Sequence, residues 1–172
     1  LVFCGYLSAR KNVQYLCKIL SQVDRSDLKL IILGDGDEHK TVCEMALKDD
    51  RIKPIGRVKN AYPYLACADY FISASKSEGL PLAVMEGMSC GLPALLSDIE
   101  SHREIRSICP CGVSIFSLDD TVQLKQIMHD LNKPSIKEKD AARYAIDEQL
   151  NAVRMADEYL EMYEKKCKRQ NA

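Results

Sequence analysis

The order of apolar runs in this chain predicts an α/β fold, a doubly wound parallel sheet followed by a helical C-terminal tail. Three observations carry that expectation. Short runs such as LKLIIL at residues 28–33 are apolar at most positions, as strands buried on both faces are. Between them lie stretches whose apolar residues recur at i, i+3, i+4 and i+7, the period of a helix. The two kinds alternate from residue 2 to residue 116 at the spacing of parallel β-α units.

A length of 172 residues suits one domain with a full core. Hydrophobic residues make up 47% and charged residues 28%, the balance of a globular domain. A formal net charge of −1 supplies no basic field for nucleic acid and no acidic tail. No apolar run approaches the roughly 18 residues of a membrane span, and no signal-peptide pattern is present. The chain opens on Leu-Val-Phe-Cys, in mid-strand and without an initiator Met, so we expect a segment of a longer protein. Of the eight cysteines, Cys4, Cys17, Cys43, Cys67 and Cys90 fall on apolar faces of expected elements, where reduced cysteine packs as a small hydrophobe. Cys109 and Cys111 stand close, but no second pair or nearby histidine completes a zinc set. Reduced thiols in a cytosolic protein are the expectation.

Residues 2–4 read as the first strand, and Gly5 opens a loop to Lys11. Asn12 suits the cap of a first helix carrying Val13, Leu16, Cys17 and Leu20. The second strand, 28–33, is stopped by Gly34-Asp35-Gly36. A helix over 42–47 and a strand over 52–55 follow, with Gly56 turning the chain. A short helix over 64–67 leads to a strand over 70–72. Residues 75–93, SKSEGLPLAVMEGMSCGLP, then form a loop and a helix that ends at Gly91. Strands are expected over 93–96 and 113–116, with Ser97-Asp98 turning or capping and a helix over 100–107 between them. Beyond Asp119 the reading is helical. Val122, Leu124, Ile127, Met128 and Leu131 line one helix, broken at Asn132-Lys133-Pro134. A second helix spans 136–145, and a third, from about residue 150, carries Val153, Ala156, Leu160 and Tyr163. The basic run over 165–169 suits a solvated helix C-terminus. There is no internal repeat and no low-complexity segment.

Right-handed crossovers in such a sheet put ligands at the carboxyl ends of the strands. Loops 5–11, 34–37 and 73–81 fall on that edge. Pro81 fits the first helical position, where its missing N–H is no loss. The free N–H groups that follow, near Leu82 and Ala83, make an anion site reinforced by the helix dipole. Glu86 stands in a helix apolar nearly all round, and a buried carboxylate without partners is costly. Either an internal Lys or Arg meets it, or it faces water at a rim, or a hydroxyl-rich ligand binds it. Lys11 ends the first β-α loop, where an ammonium can reach a phosphate or remain solvated. Gly34-Asp35-Gly36 opens a dinucleotide fingerprint, but His39 stands where its third glycine belongs. His39, His102 and His129 are scattered, and neither a serine elbow nor a Walker lysine is present.

Several of these pieces stand in one order: residues 5–12, the turn at 34–36, Ile55-Gly56-Arg57-Val58, Ala68-Asp69-Tyr70, SKSEGLPL at 75–82 with Glu86, Gly91-Leu92-Pro93 and Ser97-Asp98-Ile99. In that order the chain resembles the C-terminal, donor-binding domain of group 1 glycosyltransferases, retaining enzymes of the GT-B fold. The resemblance runs over the whole chain, including residues 147–163. Its most specific piece is Glu78 and Glu86 with seven residues between them, the E-x7-E signature of that family.

The resemblance implies a Rossmann-like donor domain over residues 1–172, with the N-terminal acceptor domain outside this chain. Lys11 would bind the donor pyrophosphate, and Gly36 would let the backbone approach the nucleotide. Arg57 and Val58 would border the base. Glu78, the expected catalytic carboxylate, would contact the transferred sugar, with Gly79, Leu80, Pro81 and Leu82 around sugar and phosphate. Glu86 would hold the ribose hydroxyls. The implied substrate is a nucleotide diphosphate sugar whose hexose passes to a hydroxyl acceptor in glycan or glycoconjugate synthesis. No metal or other cofactor is implied, nor nucleic acid, and the expected location is cytoplasmic. The implied partners are the donor and the missing domain, through which alone a membrane surface would be met. Without that domain the chain is expected to be inactive. Many relatives carry an arginine where Tyr6 stands, so Arg10 or Arg57 would reach in, or Lys11 and the helix N-terminus would suffice. A GT-B-fold nucleotide-sugar epimerase, a non-catalytic nucleotide-sugar-binding subunit and a nicotinamide dehydrogenase are the alternatives.

Overall fold

The computed structural model describes residues 1–170. Six strands, β1 (Val2–Cys4), β2 (Leu30–Leu33), β3 (Ile52–Gly56), β4 (Phe71–Ser73), β5 (Ala94–Ser97) and β6 (Val113–Phe116), form one sheet in the order β3-β2-β1-β4-β5-β6. Every neighbouring pair is parallel. Helices α1 (Val13–Leu20), α2 (His39–Ala46), α3 (Tyr62–Cys67), α4 (Leu82–Ser89) and α5 (Glu100–Ile108) make the crossovers. The tail holds α6 (Thr121–Asp130), α7 (Ile136–Tyr144), a π-helical turn (Ala145–Gln149) and α8 (Ala152–Gln170). The doubly wound parallel sheet read from the sequence is the fold observed.

Alternate residues of the strands other than the edge strand β3 feed two separate cores, as a sheet covered on both faces requires. Phe3, Leu30, Ile32, Ile72 and Leu95 pack with Leu16 and Leu20 of α1, Val42 of α2, and Leu124 and Met128 of α6. Val2, Leu33, Phe71, Ala94 and Leu96 pack on the other face with Leu65 of α3, Val84 and Met88 of α4, Ile105 of α5 and Ala142 of α7. Gly87 lets α4 approach β4 closely, since a Cβ there would lie 2.5 Å from the Phe71 ring. The tail is capped as its sequence suggests: Asp120 accepts from the Gln123 N–H, and Ser135 and Glu138 form a capping box.

Most element bounds differ from expectation by one to three residues, and four differences have a physical reason. Asn12 stands at the start of α1 but makes no side-chain cap, because it is left-handed, with φ 56° and ψ 37°. Pro81 is the cap of α4, not its first residue, with φ −82° and ψ 68°. The helix expected over 136–145 ends in the π-helical turn. Among the cysteines, Cys17 is buried and Cys4, Cys43 and Cys90 are half-buried, but Cys67 is exposed at the end of the short α3. Val153, Leu160 and Tyr163 of α8 are exposed, and the side chains of the basic run 165–169 lie outside the described residues. Among the described residues no helix is long and apolar enough to cross a membrane.

Candidate functional site

The strand order reverses direction between β1 and β4, and loops leaving adjacent strands to opposite sides open a crevice there. The loop after β1 brings Arg10 and Lys11 to that crevice, and the loop after β4 brings Glu78. Lys11 Nζ donates to Glu78 Oε1 at 2.6 Å, and Arg10 donates to Oε2 at 2.8 Å and to the Ser77 carbonyl at 2.7 Å. The Lys76 N–H donates to the Arg10 carbonyl at 2.9 Å, so backbone also joins the loops. The Glu78 side chain is only 6% exposed, against 16% for Lys11 and 50% for Arg10. Ser75, fully buried, donates its hydroxyl to Glu78 Oε1 at 2.6 Å. Burial pushes the Glu78 carboxyl up, but hydrogen bonds from Lys11, Ser75 and Arg10 outweigh it and hold the group below its ordinary value.

Beside this cluster lies a cleft of about 740 Å³, lined by the ends of β1 and β2 and by residues after β3. Gly36, Arg57 and Val58 line it together with Cys4, Gly5, Tyr6 and Gly34. Two glycines let its walls meet. A Cβ on Gly34, at φ +141°, would lie 1.9 Å from the Gly5 carbonyl oxygen, and one on Gly36 would lie 2.7 Å from the Leu7 N and O. The glycines of the incomplete fingerprint thus admit the neighbouring loop of the chain itself. Tyr6 turns its hydroxyl to Asp37 Oδ1 at 2.9 Å. Of the two arginines considered as substitutes at that position, Arg10 joins Lys11 on Glu78, whereas Arg57 stays on the cleft wall.

Glu86 is exposed, so of the alternatives the sequence left open the structure shows the rim position facing water and not an internal Lys or Arg partner. Leu82, one turn earlier, is 59% exposed, so the apolar sequence of α4 hides a stripe facing outward. No side-chain partner holds Glu86 among the described residues. Its charge nonetheless reaches the Cys4 thiol in the cleft, which burial pushes up first, Glu86 next, with Lys11 opposing. Cys4 therefore lies within electrostatic reach of both Lys11 and Glu86, which links the cluster, the cleft and α4. Gly79 and Leu80 are exposed and Pro81 is buried in the loop between the two glutamates. Among the described residues no group of three or more His, Cys, Asp or Glu side chains could hold a metal ion. Sequence reasoning missed the buried polar residues behind the cluster, Ser73, Ser75, Ser97 and His102. Serines at the carboxyl ends of two central strands were the available signal.

The family model described as glycosyl transferases, group 1, matches residues 1–131, which take in the sheet and α6 of the tail. N-acetyl-alpha-D-glucosaminyl L-malate synthase of Bacillus anthracis is 26% identical over 163 residues, which cover 88% of this chain and 40% of that protein. The structure of Anabaena HepE in complex with UDP superposes with a TM-score of 0.79 at 17% identity, covering 95% of this chain and 48% of that one. That of pneumococcal O-GlcNAc transferase GtfA in complex with UDP and GlcNAc gives 0.70 at 19% identity, covering 98% and 35%. The chain spans less than half the length of each of these proteins.

Proposed function

Since the chain belongs to the group 1 glycosyl transferases, we propose that it is the donor-binding domain of a retaining enzyme of the GT-B type. Its donor is a nucleotide diphosphate sugar of hexose type, and its acceptor is a hydroxyl bound by a domain outside these residues. The observation that carries this reading is the convergence of Lys11 and Arg10 on Glu78 at the point where strand order reverses. Two cations beside a carboxylate suit a substrate with a diphosphate at one end and sugar hydroxyls at the other. The UDP complex of HepE, a similar fold, supports the nucleotide class.

In this reading Lys11 and Arg10 bind the diphosphate, and the N-terminus of α4 adds its dipole. As the sugar–oxygen bond breaks, charge develops on the leaving phosphate, and these fixed groups stabilise it without a metal. Glu78 accepts hydrogen bonds from the transferred sugar. Glu86 accepts from the ribose, and Arg57 and Val58 border the base within the cleft. Gly79, Leu80, Pro81 and Leu82 surround sugar and phosphate, and retention proceeds on one sugar face. The chemistry belongs to the cytoplasm, in glycan or glycoconjugate synthesis.

Thermal melting of the chain with a panel of nucleotides tests the reading. Nucleoside diphosphates and one nucleotide sugar should raise the midpoint, and nicotinamide dinucleotides should not. A rise with nicotinamide dinucleotides alone, or with no nucleotide at all, overturns it.

A further inference from the structure

The imidazole of His102 is fully buried and lies in α5, outside every role assigned above. Its Nδ1 is 2.9 Å from the Ser97 carbonyl oxygen and 3.3 Å from Ser97 Oγ. A carbonyl only accepts, so Nδ1 carries the ring hydrogen. Burial disfavours a second proton, partly offset by the Ser97 carbonyl and by the charge of Glu78, so Nε2 is bare. Nε2 has no hydrogen-bond partner among the described residues. Only half of the ring is used, and it is used on Ser97.

The hydrogens downstream can be assigned in the same way. Ser97 Oγ gives its one hydrogen to the Ser75 carbonyl at 2.6 Å, which leaves its lone pairs toward the imidazole N–H. Ser75 Oγ gives its hydrogen to Glu78 at 2.6 Å and can only accept from Ser73 Oγ at 3.1 Å. Ser73, Ser75 and Ser97 are each at most 4% exposed, so none of these hydroxyls has an easy alternative in water. A directed path runs from His102 through Ser97 and the Ser75 backbone to the carboxylate that receives Lys11 and Arg10.

We propose that His102 is a positioning residue for Glu78, holding its carboxylate through Ser97 and Ser75 in the orientation that the donor sugar meets. The last clause rests on the donor-binding reading; the positioning of Glu78 does not. Two amide variants separate the halves of the ring. His102→Asn puts an N–H where Nδ1 stands and keeps the bond to Ser97, whereas His102→Gln puts its amide at the Nε2 end and abandons Ser97.

The experiment follows the Glu78 carboxyl by NMR titration in the chain and in both variants, with thermal melting to confirm that each is folded. In the chain and in His102→Asn, Glu78 should titrate below the ordinary carboxylate value. In His102→Gln it should move back toward that value. Calorimetry adds a second arm, in which His102→Gln should lose about five- to tenfold of the affinity gained by the sugar, the loss of one hydrogen bond, with the nucleoside diphosphate nearly unchanged. In a Glu78→Gln background the loss should vanish. An unchanged Glu78 titration in His102→Gln, or equal shifts in both amide variants, overturns the proposal. If the chain binds no nucleotide, the donor reading fails, and the titration still decides the role of His102.

Discussion

Lys11 and Glu78 stand 67 positions apart in the chain and 2.6 Å apart in space. With Arg10 2.8 Å from its other oxygen, one carboxylate engages both cations that a diphosphate would need. If a diphosphate binds those cations as proposed, two anions compete for them, and Glu78 would oppose the diphosphate while favouring the sugar. Glu78→Gln should therefore raise affinity for a nucleoside diphosphate, by about 0.5–1.5 kcal/mol, while removing what the sugar adds. Glu86→Gln should weaken nucleoside diphosphate and nucleotide sugar alike, because ribose is common to both. Calorimetry with the two ligands on the two variants checks the pattern. Equal losses from Glu78→Gln on both ligands would contradict it.

The two cations differ in exposure, and their variants should differ accordingly. A charge-assisted bond from the 16% exposed Lys11 is worth about 1.5–3 kcal/mol, so Lys11→Ala should weaken nucleoside diphosphate binding roughly ten- to hundredfold. The bare nucleoside should be almost unaffected. Arg10→Ala should cost less, since its side chain is 50% exposed and solvent screens it. A titration of both variants against nucleoside and nucleoside diphosphate measures the difference. Loss of nucleoside affinity in Lys11→Ala would place that side chain away from phosphate.

The sheet was legible because buried parallel strands write themselves as apolar runs ended by glycine, as in LIIL before Gly34. Their alternation with helical periods then leaves few topologies. Lys11 and Glu78 were legible as loop residues on one edge, but not as partners, because an ion pair 67 positions apart leaves no mark in either segment. The surroundings of Glu86 stayed open for a related reason. Hydropathy along α4 does not say how far the neighbouring elements reach around it, and Leu82 and Glu86 share the uncovered stripe. His102 looked like a scattered histidine because its partner, the Ser97 backbone, is invisible to motif reading.

Gly34 should tolerate no side chain. At φ +141° a Cβ would lie 1.9 Å from the Gly5 carbonyl oxygen, and backbone on both sides cannot yield as a flexible side chain can. Gly34→Ala should destabilise the chain by about 3 kcal/mol or more, the range of combined strain and overpacking. Gly79, in the loop before α4, has open space where a Cβ would stand, with nothing within 4 Å, so Gly79→Ala should stay within about 0.5 kcal/mol. Urea denaturation of both variants provides the comparison. Similar midpoints would mean that the loops after β1 and β2 can part without loss.

Far from the site, Arg51 ties the end of α1 to β3. Its guanidinium donates to the carbonyls of Leu20, Val23 and Arg25 and, through Nε and Nη2, to both oxygens of Asp49. The two side chains are only 14% and 11% exposed. Truncation to Arg51→Ala would leave a carboxylate and three carbonyls short of a donor, at a cost of about 3–5 kcal/mol. The bond from Arg51 holds the Asp49 carboxyl well below the usual carboxylate range, against the effect of burial and with help from Ser21. A carboxyl whose folded pKa lies below its unfolded one adds stability that is complete above the unfolded value, about 3.9 for Asp. That stability is lost as the pH falls through the folded value. Between pH 7 and pH 2 the chain should therefore lose more stability than Asp49→Asn, which has no proton to take up at this site. Urea midpoints at the two pH values measure it, and parallel losses in the two proteins would show that the pair does not contribute to acid sensitivity.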